Sequence, residues 1–307
     1  MNLHNKLLFL PLGGSGEIGM NLNLYCCNGK WLMVDCGISF ADEQAPGVDI
    51  IVPDASFIAA RKDDLLALVI THAHEDHVGA VARLWPEFQC PVYCSPFTSE
   101  ILHNKLREEG IADLVEVNVV APGSSLQLGE FHLDFVDLTH SIPEMQALMI
   151  NTPYGRVMHT GDWKLDPSPV VGPVSDLERM AEVTQGDVLA MVCDSTNVFS
   201  KSAGRSESEL GGNLEALIKG AERMVVATTF ASNVARVKTL AEAGERAGRS
   251  ICLMGRAMRR MVEASIETGV LGSFPPVVSI DDARDVPREN LMLLVTGSQG
   301  ERRAASA

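Results

Sequence analysis

Apolar residues come in short runs here, and their spacing predicts strands first. Segments 7–12 (LLFLPL), 21–27 (NLNLYCC) and 31–36 (WLMVDC) are apolar runs separated by Gly/Asn turns, the pattern of consecutive strands. A further run at 65–71 (LLALVIT) reads as a buried strand. A short helix fits VGAVARLWPEF after His77, then a strand over 91–95 and a helix from Thr98 to about Glu109. LVEVNVV and FHLDFVDLTH alternate with the two-residue period of half-buried strands. ALMINTPYGRVMHTGD reads as a hairpin about Pro153-Tyr154-Gly155, and DVLAMVCDST as another buried strand.

From about residue 206 the pattern changes. Helical stretches (SESELGGNLEALIKGAE, SNVARVKTLAEAGERAG and one near 256–268) alternate with RMVVATTF, ICLMG and LMLLVTG. That alternation predicts a largely parallel sheet with helices on its faces. The composition shift at 200–205, FSKSAGRS, sets the expected boundary between a domain over 1–204 and one over 205–307.

Composition adds less. No apolar run reaches the roughly 18 residues that span a bilayer, and MNLHNKLLFLPLGG lacks the basic stretch and cleavage site of a signal peptide, so a soluble, cytoplasmic protein is expected. The seven cysteines are odd in number and scattered, which favours reduced structural thiols. Cys26 and Cys27 face opposite ways if their segment is a strand. The net charge of −15 argues superficially against a polyanionic ligand, but it is uneven: residues 1–204 carry −16 and residues 205–307 carry +1, with Arg256, Arg259 and Arg260 clustered. The glycines of GGSGEIG (13–19) have dinucleotide-fingerprint spacing, yet a strand and not a helix follows them, so a tight turn with close backbone approach is the better reading.

The chemistry gathers in ITHAHEDHVGAV at 70–81. His72, His74, Asp76 and His77 form His-x-His-x-Asp-His at the end of a buried strand. Alternate side chains of an extended segment point the same way, so His72 and His74 can converge, with Asp76 and His77 facing a second point nearby. Imidazole and carboxylate donors suit zinc, and also manganese. His140 and Asp162 each stand just past an apolar strand, as the cluster does, and are the candidates to complete the site.

THAHEDHVGA, the TH at 139–140 and TGDWKLDP at 160–167 resemble the metallo-β-lactamase hydrolase fold. CDSTN at 193–197 resembles the acidic motif that opens the β-CASP insertion of its nucleic-acid-processing branch. With PLGGSGEIGMN, PGVDIIVPD, GRSESE, TTFASNVARV, GRAMRRM and TGSQGE, the sequence from about 7 to 301 is similar to the ribonuclease J family. The resemblance implies an α/β fold: an αββα sandwich, incomplete here, with an inserted α/β β-CASP domain. It implies that His72, His74 and His140 bind one divalent ion, that Asp76 and His77 bind a second, and that Asp162 bridges both. Asp194 would orient a ligand histidine. Phe230 would stack on an RNA base, and Ser232 and Asn233 would contact the RNA backbone; Ser232 is equally a helix-cap type. The implied reaction is two-metal hydrolysis of RNA phosphodiesters, internally and stepwise from a 5′ end, on 5′-monophosphorylated RNA and leaving a 5′-phosphate product.

The family continues beyond TGSQGE with two histidine motifs and a C-terminal region tied to homo-oligomer assembly, whereas no histidine follows His159 here. On that count the second metal site is one ligand short, and a truncated form with weak or no turnover alone is expected. Two alternatives stand beside this reading: a small-molecule hydrolase of the same fold, which the segment from 194 to 301 opposes, and a fragment that binds RNA without cleaving it.

Overall fold

The computed structural model describes residues 3–41, 45–201, 204–298 and 305. In chain order its strands are β1 (Leu7–Gly13), β2 (Leu22–Cys27), β3 (Lys30–Val34), β4 (Ser39–Phe40), β5 (Ile50–Ile51), β6 (Leu65–Val69), β7 (Val92–Cys94), β8 (Val117–Val119), β9 (Ser125–Leu128), β10 (Phe131–Asp137), β11 (Gln146–Thr152), β12 (Gly155–His159), β13 (Ala190–Val192), β14 (Val225–Thr228), β15 (Ser250–Met254) and β16 (Leu291–Val295). The helices are α1 (Ser56–Ala59), α2 (Glu75–Val78), α3 (Val81–Phe88), α4 (Pro96–Glu108), α5 (Leu177–Val183), α6 (Gly211–Gly220), α7 (Val234–Arg246) and α8 (Arg256–Glu267).

The chain divides into two compact units. The first comprises 1–138, 144–163 and 175–201; the second comprises 139–143, 164–174 and 202–307. The two short loops join the second unit through specific bonds. The Lys164 amide donates to the Thr139 carbonyl, and the Glu207 amide donates to the Asp166 carboxylate. The Ser206 hydroxyl donates to the Ser168 carbonyl.

In the first unit a six-stranded sheet (β1-β2-β3-β6-β7-β8) and a five-stranded sheet (β13-β12-β11-β10-β9) share one apolar core. Tyr25, Leu32, Val34 and Val69 from one sheet meet Phe131, Leu133, Phe135, Leu148 and Val157 from the other. The outer face of the first sheet packs on α1, α3 and α4 through residues such as Leu24, Met33, Leu68, Trp85 and Leu102. The outer face of the second sheet packs on α5 through Val136, Met149, Met158 and Val183. The unit is thus layered α/β/β/α. Strand alternation sends Cys26 to the helix side and Cys27 to the inter-sheet side, and all seven cysteines are free thiols.

One expectation changes and one holds. DVLAMVCDST is not a buried strand: β13 is a three-residue edge strand paired only to β12, and Leu189 and Met191 are both 64% exposed. Its apolar run resembles a buried strand by composition, but among the described residues only the β12 flank is hydrogen-bonded. As expected, the glycine-rich segment is a tight turn, with residues 14–19 bending between the end of β1 at Gly13 and β2. An added Cβ at Gly13 would lie 2.1 Å from the Met20 carbonyl oxygen, so the close backbone approach requires glycine there.

The second unit holds a parallel sheet ordered β14-β16-β15. One face packs on α6, α7 and α8 through Ile218, Val237, Leu240, Met258 and Met292. The side-chain cap of α7 is Asn233, whose Oδ1 accepts from the Arg236 amide at 3.0 Å, and not Ser232. Residues 299–301 of TGSQGE lie outside the described residues. Among the described residues no helix is long and apolar enough to cross a membrane.

Candidate metal centre

The strand ends of the first unit build the site. β3 and β6 run parallel with Val34 opposite Val69, so the residues just beyond each strand lie side by side. Those residues are Asp35 on one strand and Thr71, His72 and the following loop on the other. Asp35 is fully buried. It accepts hydrogen bonds from the Thr71 amide (2.7 Å), from the Thr71 hydroxyl (2.9 Å to Oδ2) and from His77 Nδ1 (2.8 Å).

His77 opens onto the site through its other nitrogen. Nε2 stands 3.4 Å from Asp162 Oδ1 and 3.7 Å from Asp76 Oδ2. The rings of His72 and His77 are 4.0 Å apart, and His72 Nε2 lies 3.1 Å from His74 Nδ1. His72, His77 and Asp162 each offer a ligand atom within 4.8 Å of the others. A backbone clamp fixes this loop: the Asn21 amide donates to the Asp76 carbonyl (3.0 Å), and the Cys36 amide donates to the His77 carbonyl (2.8 Å).

The donor set fits a divalent cation. With Nδ1–H donated to Asp35, Nε2 faces the Asp162 and Asp76 carboxylates and, at 3.1 Å, the Asn21 side-chain amide; the paired carboxylates call for positive charge between them. The acid–base balance says the same. Burial opposes protonation of His77, but Asp35, Asp162 and Asp76 outweigh it and hold the imidazole well above its usual range. Burial raises Asp76, and His77 partly offsets it. Chemically the arrangement is a carboxylate–histidine pair of the kind that holds metal ligands in place.

A cleft of about 500 Å³ lies over this floor. Its lining includes Asp76, His77, His159 and Asp162, the Gly14–Gly19 loop, and the loop after β13 with Asp194, Ser195 and Thr196. The Asp194 carboxylate accepts from the Thr196 amide at 2.8 Å, with no imidazole partner among the described residues. His140 stands in the 139–143 segment, grouped with the second unit. Phe230, Ser232 and Asn233 also belong to that unit, after β14; Phe230 is 46% exposed.

Two contributors had weaker signals in the sequence. Asp35 ends an apolar strand in MVDCG, as Asp162 ends RVMHTGD, but no histidine stands near it in the chain. His159 closes β12 beneath the cleft, with Tyr25 Oη 2.9 Å from its Nδ1. Burial lowers its pKa to about 4.

Residues 23–189 match the family model of the metallo-β-lactamase superfamily. The chain belongs to that superfamily. Residues 221–307 of this superfamily member match the ribonuclease J β-CASP domain. It is 44% identical to a ribonuclease J of Sinorhizobium meliloti, over 98% of this chain and 54% of the relative. A Mycolicibacterium smegmatis ribonuclease J is 40% identical, over 96% of this chain and 53% of the relative. The chain spans about half the length of the curated relatives it matches. A crystal structure of a protein of unknown function from Enterococcus faecalis shares the fold, with a TM-score of 0.65 at 16% identity, covering 96% of this chain and 78% of that one.

Proposed function

We propose that this protein is a metal-dependent RNA phosphodiester hydrolase. The observation that carries the reading is the convergence of His72, His77 and Asp162 over a buried Asp35 brace. The ribonuclease J relatives supply the substrate class. His72, His74 and His140 would hold one divalent ion, zinc or manganese. Asp76 and His77 would hold a second, with Asp162 shared between them. Counted on these residues, the first ion has four protein ligands and the second has three. Such cations supply Lewis acidity and an activated water for attack at phosphorus.

The remaining roles belong to the protein. Asp35 holds the His77 ring so that Nε2 stays directed at the carboxylates. Asp194 lines the cleft wall with its carboxylate bonded to the Thr196 amide, and no imidazole is assigned to it. In the second unit, Phe230 offers a stacking face for a base, and Ser232 and Asn233 offer polar groups to the RNA backbone. Their preferred ligand is RNA with a 5′-monophosphate.

The test is incubation of the zinc- or manganese-loaded chain with labelled 5′-monophosphorylated RNA. With only three ligands counted for the second ion, products with 5′-phosphate ends should form slowly at most, be suppressed by EDTA, and be lost in Asp162→Ala. Cleavage that ignores EDTA, or faster hydrolysis of a thioester or lactone than of RNA, would overturn the proposal.

A further inference from the structure

Beside the metal ligands the cleft floor carries one buried group that they do not use. His159 is 4% exposed and Tyr25 is fully buried. Both sit on the inter-sheet side, where strand alternation puts His159 on the same face as Val157. Their rings meet edge to face, with centroids 6.1 Å apart at 81°. Tyr25 Oη has no other hydrogen-bond partner among the described residues. If Nδ1 carried the ring proton, the buried phenol hydrogen would be left without an acceptor. The phenol therefore donates to Nδ1, and the ring proton resides on Nε2.

Nε2 has no hydrogen-bond partner among the described residues, and the ring lines the cleft beside Asp76, His77 and Asp162. The charged groups facing it are Asp35, Asp162 and His77. A neutral N–H adds a directional donor there without adding a charge that would repel cations.

We propose that His159 Nε2–H donates to a phosphoryl oxygen of the ligand bound in this cleft, with Tyr25 fixing the tautomer. This rests on the phosphodiester reading above and assigns one further substrate-binding residue to it. His159 then orients the phosphoryl group from below.

The experiment uses the full chain loaded with zinc, and inorganic phosphate as the probe. Phosphate and zinc affinities are measured for wild type, His159→Phe, His159→Gln and Tyr25→Phe, and the tautomer is read from imidazole nitrogen shifts. A lost hydrogen bond to a charged group should weaken phosphate binding about tenfold to a hundredfold in His159→Phe, at unchanged zinc affinity. His159→Gln keeps an N–H near the Nε2 position and should stay within about threefold of wild type. Tyr25→Phe should weaken phosphate binding and mix the tautomers, and it serves if His159→Phe does not fold. Wild-type phosphate affinity in both His159→Phe and Tyr25→Phe overturns the proposal and leaves the phosphodiester reading standing. Parallel loss of zinc and phosphate affinity in His159→Phe also overturns it, assigning the ring to metal retention. A zinc-loaded wild type that binds no phosphate overturns both.

Discussion

Replacing Asp35 by Asn exchanges one carboxylate oxygen for an amide nitrogen at nearly constant volume. Each oxygen has a donor against it: the Thr71 amide at Oδ1, and His77 Nδ1 at Oδ2. With His77 protonated, as its raised pKa in the metal-free chain implies, the new NH₂ group opposes a buried N–H in either orientation. One unsatisfied buried donor, added to a lost charged hydrogen bond, gives an expected destabilisation of about 2 to 4 kcal/mol. Without its brace, the His77 ring should also cost zinc affinity by about tenfold to a hundredfold. The assay is urea unfolding of the metal-free chain, with zinc titrated separately against a chromophoric chelator. Tryptophan fluorescence suits it, because Trp31, Trp85 and Trp163 all lie in the first unit. An unchanged unfolding midpoint together with zinc affinity within about twofold of wild type would refute the bracing argument.

Two more outcomes follow from the same loop. An added Cβ at Gly37 would fall 1.7 Å from the Asp76 carbonyl oxygen and 2.5 Å from the His77 nitrogen, both backbone atoms. Gly37→Ala should therefore cost about 3 kcal/mol or more and abolish zinc binding, whereas Gly212→Ala, with open space around it, should be near neutral in the same assays. The buried histidines should also give opposite pH trends in the metal-free chain. His77 is raised in the folded state, so its contribution is full below its unfolded value near 6.5 and is lost as pH rises through the folded value. His159 is lowered to about 4, so its contribution is present above about 6.5 and is lost as pH falls toward 4. Zinc must displace the His77 proton, so its affinity should climb from about pH 6 to pH 8; calorimetry showing a flat profile and no proton release would count against that protonation state.

Much of the centre was legible because strand alternation and strand ends are local signals. His72, His74, Asp76, His77 and Asp162 all stand at or just past apolar runs, and the structure places His72, His77 and Asp162 together. Asp35 was harder to read: its importance comes from the parallel pairing of β3 with β6, which brings it to a histidine 42 positions away. Tyr25 and His159 are 134 positions apart and meet only across the two sheets. The edge position of β13 was equally hidden, since an apolar run does not report how many neighbours it has. Asn233 took the helix cap from Ser232 because a capping position is decided by one residue of register.

The strand order of the second unit has a consequence for synthesis. Among the described residues, β16, the last of that sheet's three strands, lies between the other two, and β14 and β15 do not pair with each other. As the chain leaves the ribosome, neither ladder of that sheet can close before residues 291–295 have emerged. Until then α6, α7 and α8 must shield the apolar faces of β14 and β15 by themselves, so the growing chain passes through a stage in which a binding chaperone would find its strongest target.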